Sequence, residues 1–194
     1  MGHHKTNTNK YLLIVKPVKQ KYMELKGKKI AALVHQVYED MELWYPVIRL
    51  READANVVLA GEKPAAQYNG KHGIPAMAEI GYEDLNVNDF DGLIIPGGYA
   101  PDKLRRYPAV LEFVKQMDQA GKPIAIICHA GWVAISADVL RGRKATSVRA
   151  IKDDMVNAGT EWVDEPVVTD KNLVSSRTPH DLPVYAKAFI ALLQ

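Results

Sequence analysis

The chain has 194 residues, 47% of them hydrophobic, and a net charge of +2. That is one compact domain with a sizeable core. The charge is too mild for a nucleic-acid binder and no basic patch is interleaved with aromatics; no apolar run is long enough to span a membrane. The polar start, "MGHHKTNTNK", does not read as a secretory signal. A single cysteine cannot form an internal disulfide, which fits a reducing cytoplasm.

Residues 1–27 are Lys- and Asn-rich and read as an N-terminal extension, an arm or an extra edge strand built on "YLLIV". The single domain is placed at 28–194. "KIAALVH" (Lys29 to His35) is a continuous apolar run, as expected of a strand buried on both faces. In "MELWYPVIRLREADA" the apolar residues Trp44, Val47, Ile48 and Leu50 fall at helical spacing. Pro46 belongs in a first turn, which predicts a helix from near Leu43. "NVVLAG" (Asn56 to Gly61) is the second strand, and Gln67 to Met77 read as a hairpin or loop.

"DGLIIPGG" (Asp91 to Gly98) predicts a third strand ending in a double glycine. A helix is predicted from about Pro101 to Gly121, with Leu104, Tyr107, Leu111 and Val114 on one face. "PIAIIC" is the fourth strand and "WVAISADVL" the next helix. Short strands are predicted near Lys144 to Val148, Val163 to Thr169 and Asn172 to Ser176. In "TPHD", Thr178 and Asp181 predict a capping box, with Pro179 in the first turn of the last helix. Alternating β and α elements with both-face apolar strands imply a mostly parallel sheet with helices on both sides.

Ligands of such sheets bind outside the carboxyl ends of the strands. Cys128 and the Gly97-Gly98 pair end two of those strands and point to one rim. A thiol at a sharp strand-to-helix turn is exposed there as a nucleophile. Ala130 and Gly131 keep the turn tight, and the next helix start favours thiolate. The N–H groups of Gly97, Gly98 and Ala130 are candidates for an oxyanion site. On spacing alone, Cys128 reads equally well as a small hydrophobe at a strand end. Position 126 is isoleucine, so the full nucleophile-elbow pattern is not met. Glu39, Asp40 and Glu42 read as solvated charges on a helix's first turn.

The blocks "YEDMEL", "NGKHG", "PGGYAPDKLR", "ICHAG", "LRGRKATS", "IKDDMVNAG", "WVDEPVV" and "NLVSSRTPHDLP" run in order from Lys28 to the end. On them the chain resembles the PfpI/ThiJ superfamily, nearest the PfpI-type intracellular proteases and bacterial protein deglycases. The resemblance implies an α/β, flavodoxin-like three-layer sandwich of the class I glutamine amidotransferase-like kind. It implies Cys128 as nucleophile, His129 as its partner and Glu42 as the acid on the sulfur. Asp102 would orient the histidine from a neighbouring subunit, and His72 would stand at the pocket rim. Glu42 and the thiol would then share one proton.

Three departures bear on specificity: Ala130-Gly131 and then Trp132 where many members have glycine-proline, Val148-Arg149 where many have tyrosine-proline, and Asp102 where many have the longer glutamate. The implied activity is cofactor-independent attack on small 2-oxoaldehydes or glycated amines and thiols, with peptidase-like hydrolysis as a secondary activity. The implied setting is a cytoplasmic, stress-protective homodimer or higher homo-oligomer. The alternative is a non-enzymatic oxidative-stress sensor or chaperone using an oxidisable cysteine. No metal site is read, because adjacent Cys128 and His129 chelate poorly.

Overall fold

The computed structural model describes residues 24–194; the "YLLIV" segment lies outside them. In chain order the elements are β1 (Lys29–Leu33), α1 (Asp40–Glu52), β2 (Asn56–Gly61), β3 (Gln67–Asn69), β4 (Pro75–Met77), β5 (Ile80–Gly81) and β6 (Gly92–Ile95). Then follow α2 (Ala100–Leu104), α3 (Pro108–Gln119), β7 (Ile124–Ile127), α4 (Gly131–Ser136), β8 (Lys144–Ala145) and α5 (Lys152–Asn157). The chain closes with β9 (Glu161–Trp162), β10 (Val167–Asp170), β11 (Leu173–Ser176) and α6 (Leu182–Leu193).

Seven strands form the central sheet in the order β10-β11-β7-β6-β1-β2-β5. All neighbours pair parallel except β10 with β11. Every residue of β6 and β7 is buried, and so is β1 after Lys29. Strands covered on both faces need uninterrupted apolar runs, and these have them. Helix α1 packs on α6, while α3 and α4 pack on each other and on β6 and β7. The result is the three-layer sandwich that the alternation predicts. Leu25 is buried in the same core, and its N–H donates to the Ala53 carbonyl at 2.9 Å, so the packed domain starts ahead of Lys28. No helix among the described residues is long and apolar enough to cross a membrane.

Five local expectations are corrected. Helix α1 starts at Asp40, not near Leu43. Glu39 is its N-cap, accepting the Glu42 N–H at 2.9 Å, and Pro46 lies inside the helix, buried on its core face. The helix expected over 101–120 is two, because Tyr107 before Pro108 is held extended (φ −94°, ψ 113°). The strand expected over 163–169 begins only at Val167, as β10, with β9 ending ahead of the stretch at Trp162, and β8 is shorter than expected. The capping box at Thr178 does not form: Asp181 instead takes Arg177, Nε to Oδ2 at 3.0 Å and Nη2 to Oδ1 at 3.2 Å. A charged, two-pronged partner outcompetes a neutral cap.

Candidate active site

The carboxyl ends of β1, β6 and β7 meet at one rim, and the pocket lies on it. After Ile127, in extended backbone, Cys128 takes φ 60°. A side chain in the left-handed region costs about 1–2 kcal/mol. The chain then enters a single 3₁₀ turn, Cys128–Ala130, and α4. This is the sharp strand-to-helix turn expected at Cys128.

Gly97 and Gly98 follow β6. A Cβ on Gly97 would lie 2.6 Å from the Cys128 Cβ and would also overlap the Glu42 carboxyl. Glycine is therefore what lets the acid and the thiol approach across this strand end. The Gly97 N–H donates to Glu42 Oε2 at 2.9 Å, so it is not an oxyanion donor as expected. Gly98 has φ 75° and bridges Tyr38, with the Tyr99 N–H donating to the Val37 carbonyl at 2.8 Å. Ala130 is wholly buried and does not face the pocket, a second correction to the expected oxyanion set.

Glu42 is fully buried, and Oε1 has no hydrogen bond. Burial, then the charge of Glu39, pushes its carboxyl up to about 8. Burial, then the charge of an ionised Glu42, pushes the Cys128 thiol up to about 12. The sequence reading predicts a lowered thiol pKa from the helix start, and burial overrides that field. Placing a second negative charge in the pair is what is costly. With one charge present, the two shifts taken alone leave the proton on the thiol, but the hydrogen-bond donors favour sulfur as the place for the charge. Sulfur takes the backbone N–H groups of Gly98 and His129, whereas the more deeply buried carboxyl takes only Gly97 and sits near Glu39. The remaining proton then stays on Glu42.

His129 Nδ1 is 3.2 Å from Cys128 Sγ. Burial, then the charge of Lys71, lowers its pKa, which leaves a neutral imidazole able to accept a proton. Its ring lies 5.1 Å from that of Trp132, whose Nε1–H donates to Asp154 Oδ2 at 2.8 Å.

The pocket holds roughly 320 Å³ and brings Cys128, His129, Glu42 and Gly98 together. It also takes in Val148, one of the departures expected to bear on specificity, and Glu39, Lys71, Tyr99 and Pro179, none of which sequence reasoning assigned to the site. Lys71 was within sight, next to His72 in "NGKHG". His72 itself is 64% exposed, with Nε2 3.9 Å from Glu39 Oε1, and does not line the pocket. Asp102 is also outside it within one chain; its Oδ2 accepts from Arg106 Nη2 at 2.6 Å. Glu39 and Asp40 are not the solvated charges expected. Glu39 caps α1 at the pocket wall, and Asp40 is 2% exposed, accepting the N–H groups of His72 and Ile74 at 2.8 and 2.9 Å. No group of three or more metal-ligating side chains occurs among the described residues.

A buried acid, a half-buried thiol on a strained turn and a neutral imidazole, converging on one small pocket, are the groups that a nucleophile with its own proton donor and acceptor requires. Residues 28–192 match the DJ-1/PfpI family. Deglycase PfpI of Pyrococcus furiosus is 43% identical over 166 residues, spanning 86% of this chain and 99% of that protein. Protein/nucleic acid deglycase 2 of Escherichia coli is 39% identical over 169 residues, 86% of this chain and 98% of that protein. The crystal structure of Drosophila melanogaster DJ-1beta superposes with a TM-score of 0.79 at 25% identity, covering 86% of this chain and 90% of that one. The chain belongs to the DJ-1/PfpI family, as a cysteine enzyme of the PfpI type.

Proposed function

We propose that the pocket converts small 2-oxoaldehydes, or the adducts they form with amines and thiols, to hydroxy acids without a cofactor. The observation that carries this is a small pocket holding the Cys128 sulfur between Glu42 and His129. The names of the deglycase relatives support the same substrate class. The sulfur adds to the aldehyde carbon, and the carbonyl electron pair, now on oxygen, takes the Glu42 proton. His129 removes the proton from that carbon to leave an enediolate, the hydroxyl proton passes to the neighbouring oxygen, and return of the His129 proton to the neighbouring carbon leaves a thioester. Water cleaves the C–S bond of the thioester, releasing the hydroxy acid and returning the thiol and the Glu42 proton. The sum is one aldehyde and one water in, one hydroxy acid out, with no net redox partner.

The reading places the enzyme in a reducing cytoplasm, where a lone thiol stays reduced. It also gives Asp102 of a second copy to His129. The family resemblance supports this, and so does the exposure of the Asp102 side chain on α2, outside the lining of its own chain's pocket. The test of the activity is lactate formation from methylglyoxal by the wild type and by Cys128→Ala. Lactate from the wild type alone is expected; equal lactate from both proteins refutes the reading.

A further inference from the structure

The mechanism leaves Lys71 unused. Among the described residues lining the pocket it is the only cation. None of the ion pairs formed by described residues involves it. Its charge reaches both Glu42 and His129, the two groups that flank the sulfur.

Its backbone is held in place. Lys71 lies at the tip of the β3–β4 hairpin, and its N–H donates to the Tyr38 carbonyl at 2.7 Å. The next turn is tied to the buried Asp40 carboxylate through the His72 and Ile74 N–H groups at 2.8 and 2.9 Å. Gly70 permits this: a Cβ there would overlap the Asp40 carboxylate. Burying a carboxylate is costly unless it is fully hydrogen-bonded. Here the two backbone donors come from the hairpin tip, so hairpin and helix start are fixed against each other.

The acids of the pocket form no ion pair with Lys71. Glu42 keeps its proton up to about pH 8. Glu39 Oε2 accepts the Glu42 N–H at 2.9 Å, and its Oε1 lies 3.9 Å from His72 Nε2. The volume, roughly 320 Å³, leaves room beside the three carbons of methylglyoxal.

We infer that Lys71 binds an anionic group of the substrate, so that the preferred 2-oxoaldehyde carries a carboxylate beyond its dicarbonyl. Asp40 is the positioning residue for the hairpin that presents it. The inference rests on the activity proposed above for the substrate, but the anion site itself is testable without turnover.

The experiment compares alkylation of Cys128, the only thiol in the chain, by iodoacetate and by iodoacetamide. The two reagents deliver the same type of electrophile, and one of them is an anion. Rates are followed by intact mass on the full chain. In Lys71→Met the iodoacetate-to-iodoacetamide rate ratio should fall roughly fivefold, the scale of one solvent-touched ion pair. Lys71→Arg should keep the ratio, and salt should erode it in the wild type and leave it flat in Lys71→Met. A second arm measures kcat/KM for dioxovalerate, a 2-oxoaldehyde with a terminal carboxylate, against methylglyoxal. The preference for the carboxylate should drop by a similar factor in Lys71→Met. An unchanged alkylation ratio in Lys71→Met overturns the inference. So does an equal loss on both substrates, which would make Lys71 a stabiliser of the intermediate. Absence of turnover by the wild type, with the alkylation ratio still dependent on Lys71, rejects the activity and keeps the anion site.

Discussion

Glu42→Gln should make the protein more stable at alkaline pH while removing its activity. In the unfolded chain the carboxyl gives up its proton at an ordinary 4.5, whereas the folded site holds it to about 8. The folded state therefore binds more protons than the unfolded state between those values, and stability falls as pH rises through that window. Each tenfold difference in proton affinity is worth about 1.4 kcal/mol, so the loss by pH 8 is on the order of 5 kcal/mol. The sign does not depend on which member of the Glu42–Cys128 pair finally releases the proton. Glutamine keeps the acceptor for the Gly97 N–H and cannot ionise. The assay is urea unfolding of both proteins across this window. Near the acid end the two should differ by about 1 kcal/mol or less, the scale of one neutral hydrogen bond. Toward its alkaline end the variant should gain the full difference. Turnover should fall by roughly 10²-fold or more at every pH, as for loss of a positioned proton donor. A stability gap that stays constant from acid to alkaline pH would refute the buried-carboxyl argument, whatever happens to activity.

Iodoacetamide alkylation of Cys128 should rise with the first ionisation of the pair, pass half its final rate near pH 8, where the site gives up its first proton, and level off about one to two pH units above that. A rate still climbing steeply well above that would mean the charge does not go to sulfur. Gly97→Ala should cost about 1–3 kcal/mol by overpacking and abolish turnover, because the new Cβ would lie 2.6 Å from the Cys128 Cβ; native-like melting with full activity would refute the spacer role. Mixing Cys128→Ala with Asp102→Asn subunits should restore roughly a quarter of wild-type activity for a two-fold dimer, since half the dimers are mixed and each has one intact site. No recovery, with exchange verified by mass spectrometry, would remove Asp102 from the partner's site.

The sheet and the nucleophile are legible in the sequence because their causes are local. A buried parallel strand needs an apolar run, so "KIAAL", "GLII" and "IAII" announce themselves, and their ends locate Cys128 and Gly97-Gly98 on one rim. The break at Tyr107-Pro108 was equally available, since the residue before proline avoids helix. The acids were not readable in this way. Glu39, Asp40 and Glu42 look alike on a helix's first turn, yet one caps the helix, one ties down a hairpin about thirty residues ahead and one is buried against a thiol. Their partners lie 3, 32 to 34 and 55 residues away respectively. Family resemblance singled out Glu42 only. Lys71 was missed for the same reason, since its place at the pocket follows from where Asp40 holds the hairpin.

The unfavourable features of the molecule gather at this rim. Cys128 carries a left-handed backbone, and Glu42 is buried with an unpartnered oxygen. Each costs about 1–3 kcal/mol on its own. A fold tolerates such costs where its surroundings leave no alternative. The strands β1, β6 and β7 are buried on both faces and paired in register, so their ends cannot shift to relieve the turn. Gly98 is locked to Tyr38 across the gap, and α1 is capped by Glu39 and held to the hairpin through Asp40. Relaxing Glu42 into water would mean moving the N-terminus of α1, which would break the Glu39 cap and both Asp40 hydrogen bonds. The reactive pair is thus held in part by interactions that do not involve the sulfur. It follows that substitutions at Asp40 or Glu39 should alter the Glu42–Cys128 ionisation without either side chain touching the sulfur.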